Sequence, residues 1–202
     1  MPKESKLTIS PSLKALSDVI AEWNELIMKY VEEFPDDPPL WSTERANVGI
    51  LAAAAWKAGG LSLEEYDAEK LKGKKRKKRR VDLFIRTANK REFVCEAKQA
   101  LIRIDPKTKV GDVHKEIDAW LSEAVTDVRR IEGEEACRLG VFFAIPRVST
   151  KITMKDALDI FNKAMKQTEA DLKLPVLIPK SAKWADDPQY LYPGVTLFGR
   201  KV

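Results

Sequence analysis

The chain has 202 residues, of which 44% are hydrophobic and 33% are charged. This length is typical of one domain, and the composition is that of a globular protein and excludes overall disorder. The longest apolar run, at 49–56, is much shorter than the roughly 18 residues that a membrane helix needs, so we expect no membrane partner. The first ten residues lack the apolar stretch of a secretory signal, which predicts a cytoplasmic location.

The net charge of +5 is unevenly distributed. Residues 41–110 carry 18 basic and 9 acidic side chains, a surplus of +9, whereas residues 1–40 carry 4 and 8, and residues 111–202 carry 14 and 14. A local surplus of this kind favours a polyanionic partner at that place, and nucleic acid is the partner we expect.

The first forty residues predict a helix and a connector. Apolar residues recur at spacings of three and four from Pro11 to Phe34, and three prolines at 34–41 then end the helix. We expect residues 1–40 to pack on a domain formed by 41–202, in a chain with one domain overall. The acidic helix either covers the sheet or forms a homodimer surface.

A second helix is predicted from a cap at Ser42 or Thr43 to the glycine pair at 59–60. Glu44 shares its apolar stripe, at offsets of 4, 7 and 11 from the residues at 48, 51 and 55. An acid in a first turn is favoured by the helix dipole, which would account for Glu44 if it were exposed. Its place on the core-facing stripe calls for another reason.

Two strands, RVDLFIR and EFVCEAK, are predicted to form a hairpin, after a strand at 61–70 for which a helix is the alternative. If the turn centres on Asn89, residues whose numbers sum to 178 face each other, so Asp82 lies opposite Glu96 with Cβ atoms about 5 Å apart. Strand alternation places Lys98 on the same face as Glu96. Paired carboxylates repel unless a cation lies between them, and a divalent ion bound by oxygen atoms suits that position.

The remaining chain predicts a helix at 112–131, a buried strand at 139–146 parallel to the strand of Glu96, a helix at 153–172, a strand at 174–179 and an edge strand at 194–202. The fold class is therefore α/β, with a mixed β-sheet flanked by helices.

A basic run at 70–80 comes just before the strand of Asp82. Eight positively charged residues in it are candidates for binding phosphates: Lys72, Lys74, Lys75, Arg76, Lys77, Lys78, Arg79 and Arg80. The alternative is a solvated hairpin connection or a localisation-like tract.

Glu44, Asp82 in RVDLFI, and Glu96 with Lys98 in CEAK resemble the motif of the PD-(D/E)XK, or restriction-endonuclease-like, nuclease superfamily. The order of elements over about residues 42–146 also resembles that family, with a helix, a three-stranded meander, a helix and a buried strand. Val81 stands where the name of the motif has proline.

The resemblance implies a restriction-endonuclease-like core and a metal-dependent hydrolase of nucleic-acid phosphodiesters. We expect an endonuclease, with DNA as the favoured substrate and RNA as the alternative. The resemblance also implies that Asp82, Glu96 and the carbonyl of Ala97 hold Mg²⁺, for which Mn²⁺ can substitute, with Glu44 assisting. Lys98 would orient or help deprotonate the attacking water and stabilise developing charge.

Two other interpretations stay open at this point. One is a nucleic-acid-binding or protein-interaction module that keeps the fold without catalysis. The other is a small α/β protein in which Lys98 and nearby arginines neutralise the acids on a solvated sheet face.

Overall fold

The computed structural model describes residues 6–35, 43–72, 75–131, 135–182 and 188–202, and within these it leaves the side chains at 69–72, 75–79 and 180–182 undescribed. Most of the predicted proline-rich connector lies outside the described residues. Seven strands form one mixed sheet in the order β1-β6-β7-β5-β4-β3-β2. The strands are β1 (Thr8–Ile9), β2 (Leu61–Lys72), β3 (Lys75–Arg86), β4 (Glu92–Ile104), β5 (Cys137–Ser149), β6 (Leu172–Ala182) and β7 (Tyr190–Lys201).

Helices cover both faces of this sheet, as the α/β prediction requires. A 3₁₀ helix at Pro11–Leu16 leads into α1 (Ser17–Glu33), and with α2 (Glu44–Lys57) these pack on one face. The other face is covered by α3 (Val110–Arg129) and α4 (Met154–Gln167). The predicted first helix therefore begins as 3₁₀. Within the described ranges, no helix has the length and apolar character needed to cross a bilayer.

The strand connections follow the prediction in most of the sheet. β2, β3 and β4 form an antiparallel meander, and β5 runs parallel to β4 after the α3 crossover. The prediction that the last strand lies at the edge is wrong, because β7 pairs with both β5 and β6. Its buried run from Gly194 to Phe198 fits that interior position.

The β2–β3 hairpin is longer than predicted. Its ladder extends from Leu61–Arg86 to Lys72–Lys75, whereas β3 pairs with β4 only over 83–86. In the described structure, residues 66–72 and 75–81 therefore form a two-stranded ribbon, which we call the basic arm. The basic run is part of both strands of this arm and is not a connection before β3.

Candidate functional site

The site lies where β3 separates from β4. The β3–β4 register runs from Arg86–Glu92 to Leu83–Cys95, so the predicted sum of 178 is correct for these four pairs. The predicted pairing of Asp82 with Glu96 is wrong as a ladder contact, because in the described strands the pairing stops one residue earlier. Asp82 Oδ2 instead accepts a hydrogen bond from the backbone N–H of Ala97, at 2.8 Å. A carboxylate thus occupies the place that a strand carbonyl would otherwise take.

The backbone around Asp82 is irregular. Glu65 on β2 has a positive φ of 52°, a conformation that costs a non-glycine residue energy, and the β2–β3 ladder skips Glu65 and Asp82. Strand alternation would put Val81 and Leu83 on one face, yet Val81 packs with Val94 in the cluster beneath α3, whereas Leu83 belongs to the cluster beneath α1 and α2. The change of face occurs at Asp82.

Glu44, in the first turn of α2, approaches the opening that forms where β3 separates from β4. The cap predicted at Ser42 or Thr43 is Thr43, whose side chain accepts a hydrogen bond from the Ala46 N–H at 3.1 Å, and the predicted apolar stripe below Glu44 is buried. The Glu44 carboxylate lies beside the backbone N–H of Gln99, which lowers the pKa of the carboxyl. Asp82 therefore binds one backbone N–H of β4, and Glu44 lies beside the next N–H on the edge of β4 that β3 has left.

The electrostatics of Glu44 reflect this neighbourhood. Burial raises the pKa of its carboxyl, the charge of Asp82 raises it further, and the ammonium of Lys98 and the backbone N–H of Gln99 act in the opposite direction. Taken together, these effects raise the pKa of Glu44. Glu44, Asp82 and Lys98 are thus near enough to influence one another.

Asn47 is a part of the site that sequence reasoning missed. Its side chain is fully buried, and Nδ2 donates a hydrogen bond to Oε1 of Gln99 at 2.7 Å. The contact ties the helix turn that carries Glu44 to β4. Its one signal in the sequence is a spacing of three from Glu44, which puts both residues on one side of α2.

Lys98 lies on the opposite face of β4, against α3. Its Nζ is 2.8 Å from Asp127 Oδ2 and 3.7 Å from Glu123 Oε1. Burial would lower the pKa of Lys98, but the hydrogen bond to Asp127 and the charges of Asp127 and Glu123 outweigh it, so the pKa is raised. Lys98 is therefore an ammonium ion at neutral pH. Glu123 and Asp127 are not among the predicted site residues. Their one signal in the sequence is a spacing of four, which puts both on one side of α3.

Glu96 is almost completely buried, with 5% of its surface exposed. It lies beside Gly140 of β5 in the parallel register. A Cβ at Gly140 would come within 2.6 Å of the backbone nitrogen of Val125, so only glycine lets α3 lie this close to the sheet. The helix that holds Lys98 is consequently pressed against the strand pair that carries Glu96.

The four predicted residues do not share one face. Asp82 binds the β4 backbone and Glu44 lies beside it, both near α2. Lys98 instead binds the acids of α3, and strand alternation puts Glu96 on the side of Lys98. The opening between β3 and β4 joins the two sides. A small cavity of about 30 Å³, enough for a water molecule, lies at the opening. It is lined by Glu44, Arg45, Val48, Glu64, Glu65 and Asp82.

The donor chemistry can be compared with what Mg²⁺ requires. Carboxylates and a backbone carbonyl are oxygen ligands of the right kind, but the described part of the chain contains no group of three His, Cys, Asp or Glu side chains placed to hold a metal. Mg²⁺ is usually bound by one or two carboxylates, with waters and substrate phosphates as the other ligands. The residues fit a metal of that open kind and not one enclosed by protein.

The basic arm adjoins the opening through Arg80 and Val81. Arg80 Nη1 lies 3.2 Å from Glu65 Oε2 with most of the arginine exposed. The backbone positions of Lys72 and of 75–79 lie in the arm, whereas Lys74 is outside the described residues. The predicted nucleic-acid-binding residues are therefore next to the candidate site along the chain.

Comparison of the chain with protein-family models, with curated proteins and with solved structures finds no match. Only the residues and their geometry therefore indicate a function.

Proposed function

We propose that the protein is a Mg²⁺-dependent nuclease that hydrolyses phosphodiester bonds, with DNA as the favoured substrate, on a core of the PD-(D/E)XK kind. One observation supports this most strongly. Asp82 binds the N–H of Ala97, and Glu44, from a separate element, lies beside the backbone N–H of Gln99, on the strand that also carries Glu96 and Lys98. Bringing carboxylates together costs energy through repulsion and burial, and a bound cation would offset that cost.

In this proposal Asp82, Glu96 and the carbonyl of Ala97 hold the metal, and Glu44 assists directly or through water. When bound, the metal polarises the scissile phosphate and lowers the pKa of a water ligand. The hydrogen bond from the Ala97 N–H fixes one oxygen of Asp82, which orients the carboxylate. Asn47 holds Gln99 and thereby keeps the α2 turn of Glu44 against β4.

Lys98 contributes positive charge. Because Asp127 and Glu123 raise its pKa, the ammonium form persists at neutral pH and can stabilise charge that develops on the phosphate. Orienting the attacking water is compatible with this form. Proton abstraction by Lys98 is not, because it requires the neutral amine.

A second candidate is a nucleic-acid-binding or protein-interaction module without catalysis. It is favoured by the ion pairs that hold Lys98 against α3 and by the lack of a three-ligand metal group in the described ranges. This candidate predicts salt-sensitive binding to DNA that chelators leave unchanged.

Cleavage of plasmid DNA, short duplexes, single strands and RNA with Mg²⁺ or Mn²⁺ distinguishes the two. The nuclease proposal predicts cleavage that EDTA stops and that Glu96→Gln and Lys98→Met each abolish. Matched controls are Glu92→Gln, an exposed acid on the same strand, and Lys115→Met, an exposed lysine of α3, and both should keep wild-type rates. Full cleavage by either site variant would refute the assigned roles, and binding without any cleavage would support the second candidate.

A further inference from the structure

The register of the basic arm divides its residues between two faces. Residues paired across an antiparallel ladder lie on the same face, and successive pairs alternate. One face carries the pairs Lys72–Lys75, Lys70–Lys77 and Ala68–Arg79, and we call it the cationic face. The other, the mixed face, carries Leu71–Arg76, Glu69–Lys78 and Asp67–Arg80.

The two faces differ sharply in charge. The cationic face has five basic residues and no acid, a charge of +5, whereas the mixed face has three basic and two acidic residues, a charge of +1. On the mixed face each acid is opposite a base, an arrangement that stabilises a hairpin. On the cationic face two lysine pairs are directly opposite each other, which destabilises it. The stability of the hairpin therefore does not explain why one face carries only basic residues among its charges.

The base of the arm shows which side of the sheet the cationic face joins. The next pair of this face is Tyr66–Val81, and Val81 packs with Val128 and Ile131 at the end of α3. The cationic face is thus continuous with the α3 side of the sheet, where Lys98 meets Asp127. The mixed face begins at Asp67 and Arg80.

We propose that the cationic face, formed by Lys70, Lys72, Lys75, Lys77 and Arg79, binds the phosphate backbone of the nucleic acid, and that the mixed face does not. The partner named here rests on the proposed nuclease function. A row of positive charges on one face of a ribbon can follow successive phosphates by releasing their counterions, without reading sequence. The sugar-phosphate backbone of the nucleic acid is thereby directed toward the opening between β3 and β4.

Two triple variants of the full chain test this, since each removes three positive charges. The cationic-face variant is Lys75→Gln with Lys77→Gln and Arg79→Gln, and the control is Arg76→Gln with Lys78→Gln and Arg80→Gln. Binding of a labelled DNA duplex of arbitrary sequence is measured in EDTA across a salt series, and thermal unfolding verifies that each variant is folded. We expect the cationic-face variant to bind DNA about tenfold more weakly than wild type at about 0.1 M salt. The plot of log association constant against log salt concentration should also become less steep, with its negative slope reduced in size by about 3. The control should change much less.

Equal losses in the two variants, or a greater loss in the control, would overturn the proposal, because binding would then follow net charge alone. Tight binding of wild type to anionic lipid vesicles, or to an acidic peptide, without binding to DNA or RNA would also overturn it. The readout in EDTA keeps this test separate from catalysis. Binding through the cationic face without cleavage would refute only the nuclease, whereas cleavage with equal losses would refute only the face assignment.

Discussion

The N–H of Ala97 donates a hydrogen bond to Oδ2 of Asp82 at 2.8 Å, at the point where the β3–β4 ladder has just ended. Two strands that separate leave backbone groups that need new partners. Here the N–H of Ala97 is satisfied by Asp82, and the N–H of Gln99, the next one on this edge of β4, lies beside the carboxylate of Glu44. Carboxylates therefore take the place of strand pairing where β3 and β4 separate, which is the basis for proposing a cation site.

Divalent cations should stabilise the folded protein through Asp82. A ligand that binds only the native state adds about 2.7 kcal/mol at a hundred times its Kd, and each kcal/mol raises Tm by about 2–4 °C in a chain of this size. We expect Mn²⁺ to raise the Tm of wild type and to have no effect on Asp82→Asn. Calorimetry of both, with Asp112→Asn as an exposed control, measures this. An equal rise in wild type and Asp82→Asn would place the ion elsewhere.

Glu44→Gln should stabilise the protein at neutral pH. The native pKa of Glu44 is raised above its ordinary value of 4.5, so the native state holds its proton more tightly and stability falls as pH rises from 4.5 through the raised value. Above that pKa the full cost of the buried charge remains, and glutamine removes the charge while keeping a carbonyl oxygen that can face the Gln99 N–H. We expect a gain of about 0.5–1 kcal/mol at neutral pH, typical of relieving a close like-charge pair.

This gain should disappear below pH 4.5, where the wild-type carboxyl is protonated in both states. Thermal unfolding of wild type and Glu44→Gln across this pH range gives the comparison. A gain that is constant with pH would mean that the carboxylate of Glu44 is not the cause.

Asp127→Asn should weaken the fold and lower the pKa of Lys98. Because the native pKa of Lys98 is raised above 10.5, its stabilisation is complete below 10.5 and is lost as pH rises through the native value. We expect a loss of about 0.5–1 kcal/mol at neutral pH that diminishes at high pH, since the ion pair is only partly shielded from water. Unfolding curves against pH measure it.

The control for this variant is Arg130→Gln, which removes the other partner of Asp127, 2.9 Å away, and leaves the contact with Lys98 in place. It should leave the titration of Lys98 unchanged. If Mg²⁺-dependent cleavage is measured in parallel, Asp127→Asn should lose activity at a lower alkaline pH than the control does. Identical alkaline limbs would show that Asp127 does not set the charge of Lys98.

Local patterns predicted much of the site, and long-range packing explains the rest. The hairpin register followed from the turn and from alternation, because both are properties of adjacent residues. The place where β3 leaves β4 could not be found this way, since it depends on the irregular backbone at Glu65, on a different strand. The contact between Lys98 and Asp127 likewise requires knowing how α3 crosses the sheet at Gly140.

Two of the differences between the predicted and the observed strands have separate physical causes. The prediction for β7 fails because strand order in a sheet is not encoded in any one strand, although the buried apolar run of β7 is typical of an interior strand. The prediction starts β3 too late because lysine has a low strand propensity, whereas the observed ladder reaches Lys75.

The most direct measurement is a crystal structure after soaking in Mn²⁺, with anomalous scattering used to locate the ion. The proposed function predicts a peak within roughly 2.0–2.2 Å of oxygen atoms of Asp82 and Glu96, with the carbonyl of Ala97 as a further ligand. No such peak should appear in Asp82→Asn crystals grown in the same form. An ion bound without Asp82 and Glu96, in protein that cleaves DNA with Mn²⁺ in solution, would contradict the account.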